Sequence, residues 1–101
     1  MDQKLTDIIF KISSYLRPVR IYLFGSRAKG DNRSYSDYDL LIIYDGLLSK
    51  RDAELEIYRL FDRFDFSMDL FFLTSAEFEW MKRIANTLAR EVNENGVIVY
   101  G

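Results

Sequence analysis

The chain reads as an α/β (α+β) domain, a small mixed β-sheet covered by helices, with elements in the order αβ(loop)βαβαβ. Two observations predict this. Apolar residues switch repeatedly between helical spacing and short β-rich runs, and a cap or turn former stands at nearly every switch. A third observation bounds it: 101 residues, 49% hydrophobic and 16% aromatic, suffice for one core and not for two, which predicts a single domain over residues 1–101.

At the start of the chain Leu5, Ile8, Ile9, Ile12 and Leu16 repeat at helical spacing, and Pro18 ends that helix by biasing Arg17 toward extended backbone. Residues 19–24 are rich in β-formers and run straight into Gly25-Ser26, a strand that ends in a tight turn. A polar loop with Gly30, Asp31 and Asn32 as turn formers leads to a second, strongly apolar strand over residues 38–44, closed by Asp45-Gly46. Ser49, with Asp52 three residues on, opens a second helix whose apolar stripe is Ala53, Ile57, Leu60, Phe61 and Phe64. Residues 66–73 form a third strand. Thr74 and Glu77 then make a capping box, with Leu73 and Phe78 placed as a hydrophobic staple. The third helix carries the stripe Phe78, Met81, Ala85, Leu88 and Val92, and Asn95-Gly96 stops it before a short strand over residues 97–100. Most of the eight phenylalanines are expected in the core at these spacings, and Trp80 lies off its helix's stripe, where it can mark a protein interface.

Composition narrows the chemistry. The absence of cysteine and histidine removes zinc fingers, thiol nucleophiles, Ser-His-Asp triads and imidazole bases, leaving carboxylates, hydroxyls, Lys, Arg or an oxygen-held metal. Fourteen Lys and Arg against sixteen Asp and Glu give a slightly acidic chain, without the basic footprint of a stable nucleic-acid binder. The longest apolar run is far too short to span a bilayer, and the start Met1-Asp2-Gln3-Lys4 lacks an apolar signal segment, so the expected location is the cytoplasm and no membrane partner is expected.

Asp37 and Asp39 stand two residues apart at the start of a strand, so the pleat sends both carboxylates to one face, roughly 7 Å apart at Cα. Such a pair suits magnesium, which is held by one or two carboxylates and leaves its other positions to water and phosphate oxygens. Asp69 lies within the apolar run of residues 66–73, where a buried charge needs a partner, either an Arg or Lys from another element or a shared cation. With a cation it completes a three-carboxylate site and is placed to take a proton from an attacking hydroxyl. Gly25 permits close backbone approach and Ser26 offers a hydroxyl and N–H groups to phosphate oxygens. Arg27, Lys29 and Arg33 gather three cations just before the aspartates, a pattern suited to a polyanion plus a metal. Tyr35 and Tyr38 flank the aspartates, with Tyr38 facing away from them.

The run GSRAKGDNRSYSDYDL, residues 25–40, resembles the signature of the DNA polymerase β-like nucleotidyltransferase superfamily, and nearly the whole chain resembles its smallest members, the minimal nucleotidyltransferases. The shared elements are a Gly-Ser pair, a basic and glycine-containing loop, Ser-Asp-x-Asp with an apolar tail, and a third acidic residue on a later strand. The resemblance implies a nucleotidyltransferase-like fold in which Gly25 and Ser26 hold a triphosphate. Asp37, Asp39 and Asp69 are then the catalytic, metal-binding carboxylates for magnesium, two ions in number. Asp69 activates the acceptor, and Arg27 and Lys29 are phosphate contacts or surface charge.

The resemblance further implies transfer of a nucleoside monophosphate, AMP from ATP or its counterpart from another NTP, to a hydroxyl with release of pyrophosphate. Larger relatives carry an added helical domain for acceptor or base; none is expected after Gly101, and a partner is expected to complete the site. Minimal members pair with a small helical protein, either a substrate-binding subunit or a HEPN-type toxin. In a toxin–antitoxin system of that kind the nucleotidyltransferase acts as antitoxin by AMPylation of a toxin tyrosine. The alternatives are a non-catalytic antitoxin or adaptor that neutralises a helical partner by binding, and transfer to a small molecule with a substrate-binding subunit. Self-association into a homo-oligomer is left open.

Overall fold

The computed structural model describes residues 2–30, 37–62 and 65–101. The turn formers Asp31 and Asn32, the cation Arg33, Tyr35 and Phe64 lie outside the described residues. In chain order the elements are α1 (Gln3–Leu16), β1 (Arg20–Phe24), β2 (Tyr38–Ile43), α2 (Lys50–Arg59), β3 (Met68–Leu73), α3 (Ser75–Met81), α4 (Leu88–Asn95) and β4 (Val97–Tyr100). No helix among them is long and apolar enough to cross a membrane.

The strands form one mixed sheet in the order β3-β2-β1-β4. β1 runs antiparallel to both β2 and β4, whereas β2 and β3 are parallel. A parallel pair needs a crossover, and α2 supplies it. Helices α1 and α2 pack on one sheet face through Ile8, Ile12, Ala53 and Ile57, which meet Ile21, Leu40, Ile42 and Leu70. Phe78 of α3 and Ala89 and Val92 of α4 pack on the other face, against Tyr22, Leu41 and Ile43.

The first helix buries the five residues its spacing singles out, Leu5, Ile8, Ile9, Ile12 and Leu16. Its start is capped by Asp2, which accepts from the Leu5 N–H at 2.7 Å. Arg17 ends it in the left-handed region, φ 51°, and not in the expected extended backbone, because its N–H then bonds to the Ser13 carbonyl. Both conformations avoid the helical region that Pro18 disfavours. Phe10, expected in the core, falls between the stripe positions and is 70% exposed.

The expected third helix is two helices. Asn86 adopts φ 66°, and Thr87 caps α4 by accepting from the Arg90 N–H while its hydroxyl donates to the carbonyls of Met81 and Ile84. A polar pair that bonds to its own backbone competes with helix continuation, so the apolar stripe changes axis here and Ala85 is left exposed.

The capping box at α3 forms as expected. Thr74 Oγ1 accepts from the Glu77 N–H at 3.0 Å, and the Glu77 carboxylate accepts from the Thr74 N–H at 2.8 Å and from Lys50 Nζ. The Thr74 N–H first, then Lys50, hold the Glu77 carboxyl below the usual glutamate value of 4.5. A depressed carboxyl contributes stability above its ordinary value and loses it as pH falls through the depressed one. Glu77→Ala is therefore expected to lower unfolding free energy by roughly 0.3–1 kcal/mol at pH 7, the range for a solvent-screened carboxylate in the first turn of a helix. Urea denaturation repeated well below pH 4.5 should show the difference from wild type closing.

Candidate active site

Alternation along β2 sends Tyr38, Leu40 and Ile42 into the core beneath α1 and α2, so Asp39, Leu41 and Ile43 point to the opposite face. On β3 the same alternation buries Met68, Leu70 and Phe72 and turns Asp69 and Phe71 outward. Register then decides the site: Asp39 lies directly across from Asp69 in the parallel pair. Leu41 and Ile43 are buried under α3 and α4, whereas Asp37 and Asp69, toward the strand starts, are exposed and Asp39 is half-buried.

Each of Asp37, Asp39 and Asp69 offers a carboxylate oxygen, and these oxygens lie within 4.8 Å of one another. Burial, then repulsion from Asp69 and Asp37, together with the contact to the Asp69 carboxyl, raises the Asp39 pKa above the usual aspartate value. Among the described residues no ion pair reaches these three carboxylates. Three oxygen donors crowded at mutual cost fit a hard divalent cation, which removes the repulsion and accepts an all-oxygen shell.

Asp69 is exposed, which corrects the expectation of a buried charge in residues 66–73. The run looks continuous because β3 alternates one face packed on α1 and α2 with another left open at the sheet edge. Phe71, also expected in the core, is 41% exposed on that open face, its ring 5.6 Å from that of Phe24.

Gly25 follows β1 directly with φ 76°, and a Cβ there would collide with the Asp39 carboxylate, so only glycine fits. Phe24 pairs with Asp39 across β1 and β2, which brings the Gly25-Ser26 turn to the mouth of the carboxylate cluster. The turn continues as the Lys29 N–H bonds to the Ser26 carbonyl at 3.1 Å and the Gly30 N–H to the Arg27 carbonyl at 3.3 Å. Lys29 is exposed. Arg27 is not: its guanidinium stacks on the Tyr38 ring, whose side chain belongs to the opposite sheet face. Tyr38 faces away from the aspartates, as the pleat requires, and its hydroxyl donates to Asp2.

Residues 6–101 match the family described as Polymerase beta, Nucleotidyltransferase. The chain belongs to this nucleotidyltransferase family. Its fold is similar to that of a solved chain described as "Crystal structure of the toxin-antitoxin with AMP-PNP", with TM-score 0.63 and 26% identity over 94% of this chain and 72% of that one. No curated protein matches the chain. As a member of the polymerase beta nucleotidyltransferase family the chain is a nucleotidyltransferase, and the resemblance carried by residues 25–40 holds.

Two outcomes test this geometry in the nucleotidyltransferase. Gly25→Ala should cost about 1–2 kcal/mol of stability, from the left-handed backbone alone, and should displace Asp39, weakening Mn2+ binding measured by calorimetry. Asp39→Asn should raise the melting temperature in EDTA by a few degrees, because it removes a charge repelled by Asp37 and Asp69, and should abolish stabilisation by added Mn2+.

Proposed function

We propose that this nucleotidyltransferase transfers AMP from ATP to a hydroxyl on a partner protein, a tyrosine of a HEPN-type toxin, and thereby acts as an antitoxin in the cytoplasm. The observation that carries the reading is the carboxylate cluster of Asp37, Asp39 and Asp69 beside the Gly25-Ser26 turn. Support for the nucleotide and the partner comes from the solved neighbour, described as a toxin-antitoxin with AMP-PNP.

In this reading Asp37, Asp39 and Asp69 hold magnesium. When bound, the ion neutralises charge on the phosphate oxygens at a cluster where the protein supplies only anions. Gly25 keeps the turn close against Asp39, so that the N–H groups and hydroxyl around Ser26 bind phosphate oxygens, with Lys29 adding a cation from the loop. Asp69, at the exposed edge of the cluster, takes the proton of the acceptor hydroxyl. The acceptor oxygen forms a bond to the α-phosphorus as the bond from that phosphorus to the bridging oxygen breaks, and pyrophosphate leaves. The proton ends on Asp69 and the AMP on the acceptor.

The test is incubation with magnesium and α-phosphate-labelled ATP in lysate of the source organism, resolving protein, RNA and small molecules. Wild type should label one protein band, with labelling at least about 100-fold weaker for Asp39→Ala and lost in EDTA. Label confined to RNA or a small molecule would replace the acceptor. Absence of any Asp39-dependent label would remove the catalytic reading.

A further inference from the structure

Arg27 follows the Gly25-Ser26 pair, where a cation facing phosphate would be exposed, yet its side chain is only 8% exposed. Its guanidinium carbon lies 3.8 Å from the centroid of the Tyr38 ring, and its Nη1 lies 3.5 Å from Oδ2 of Asp2. The Tyr38 hydroxyl donates to the same Asp2 carboxylate at 3.3 Å, and Asp2 Oδ1 accepts from the Leu5 N–H as the cap of α1. Asp2 therefore gathers the turn after β1, the start of β2 and the start of α1 at one carboxylate.

Tyr38 is the residue between Asp37 and Asp39, pointing into the opposite face of the strand. It is anchored on three sides: its ring meets Phe66 edge-on at 6.1 Å, its N–H bonds to the Ser67 carbonyl at 2.9 Å, and its other side carries Arg27. A backbone held through Tyr38 fixes where the flanking aspartates project. A planar guanidinium can stack on a ring while its edge donates to a carboxylate; an ammonium can do only one of these well.

We propose that Arg27 is a positioning residue of the nucleotidyltransferase site, which acts through Tyr38 and Asp2 to fix the Gly25-Ser26 turn against the Asp37 and Asp39 carboxylates. It does so from the far side of the sheet, and the inference rests on the reading of those carboxylates as a cation site.

The experiment measures Mn2+ affinity by calorimetry, and AMP-PNP affinity at saturating Mn2+, for the full chain and for Arg27→Ala, Arg27→Lys, Tyr38→Leu, Tyr38→Phe and the Arg27→Ala/Tyr38→Leu double variant. Arg27→Ala should weaken Mn2+ binding about 10-fold or more. Arg27→Lys should fail to rescue it, and Tyr38→Leu should match it. The double variant should be no weaker than either single one, because both remove the same contact. Tyr38→Phe, which keeps the stacked ring and loses only the hydroxyl, should weaken Mn2+ binding less than Arg27→Ala and provides a mild, folded comparison. AMP-PNP binding at saturating Mn2+ should weaken in parallel, because the displaced Gly25-Ser26 turn is also the proposed phosphate contact, and lysine should not restore it. Unchanged Mn2+ affinity in Arg27→Ala overturns the proposal, and weakened AMP-PNP binding restored by lysine beside it is the signature of a direct phosphate contact. Wild type that binds no Mn2+ would overturn the cation-site reading itself, and the positioning role with it.

Discussion

The parallel pairing of β2 with β3 places Asp39 directly across from Asp69, and the site depends on that register. A slip of one residue would turn Asp69 into the core beneath α1 and α2 and bring Leu70 to the open face, since the side-chain period of a strand is two. The register is held from the buried side: Leu40, Ile42, Met68, Leu70 and Phe72 all pack in one core with Ala53 and Ile57 of the crossover helix α2. The apolar face thus does the positioning, and the polar face receives the result. Antiparallel pairing of β1 with β2 completes the arrangement by setting Phe24 opposite Asp39 and carrying Gly25 to the carboxylate.

This arrangement is costly to the free protein. Carboxylate oxygens of the three residues lie within 4.8 Å of one another, and burial, then repulsion from Asp69 and Asp37, raises the Asp39 pKa. Against that cost stands a core on each face of the sheet, with Ile8, Ile12, Ile21, Leu40, Leu41, Ile42, Ile57 and Val92 fully buried. Groups kept at a cost in the folded state are expected where function and stability pull apart.

Much of this was legible in the residues. The D-x-D spacing of Asp37 and Asp39 fixes their common face through the pleat alone, and Gly25-Ser26 after a β-rich run marks the turn. The caps at Ser49 and Thr74 form as the sequence predicts, with Ser49 accepting from Asp52 and Thr74 from Glu77. Sheet order was not legible, because strand neighbours depend on which faces the helices cover. That gap explains the error at Asp69: without knowing that β3 is an edge strand, an apolar run reads as buried on both faces. The break between α3 and α4 was signalled by Asn86-Thr87 but masked by an apolar stripe that continues in steps of three and four. For Arg27 no local signal exists. Its stacking on Tyr38 joins residues eleven apart with a third partner at Asp2, and only the folded chain brings them together.

The proposed chemistry needs Asp37, Asp39 and Asp69 to act together as a divalent-cation site. Anomalous diffraction from crystals grown with Mn2+ and AMP-PNP tests it most directly. A peak is expected about 2.0–2.2 Å from carboxylate oxygens of Asp37, Asp39 and Asp69, with phosphate oxygens of the nucleotide completing the shell beside Ser26. Nucleotide bound with no anomalous density between these carboxylates, or a peak elsewhere on the molecule, would contradict it.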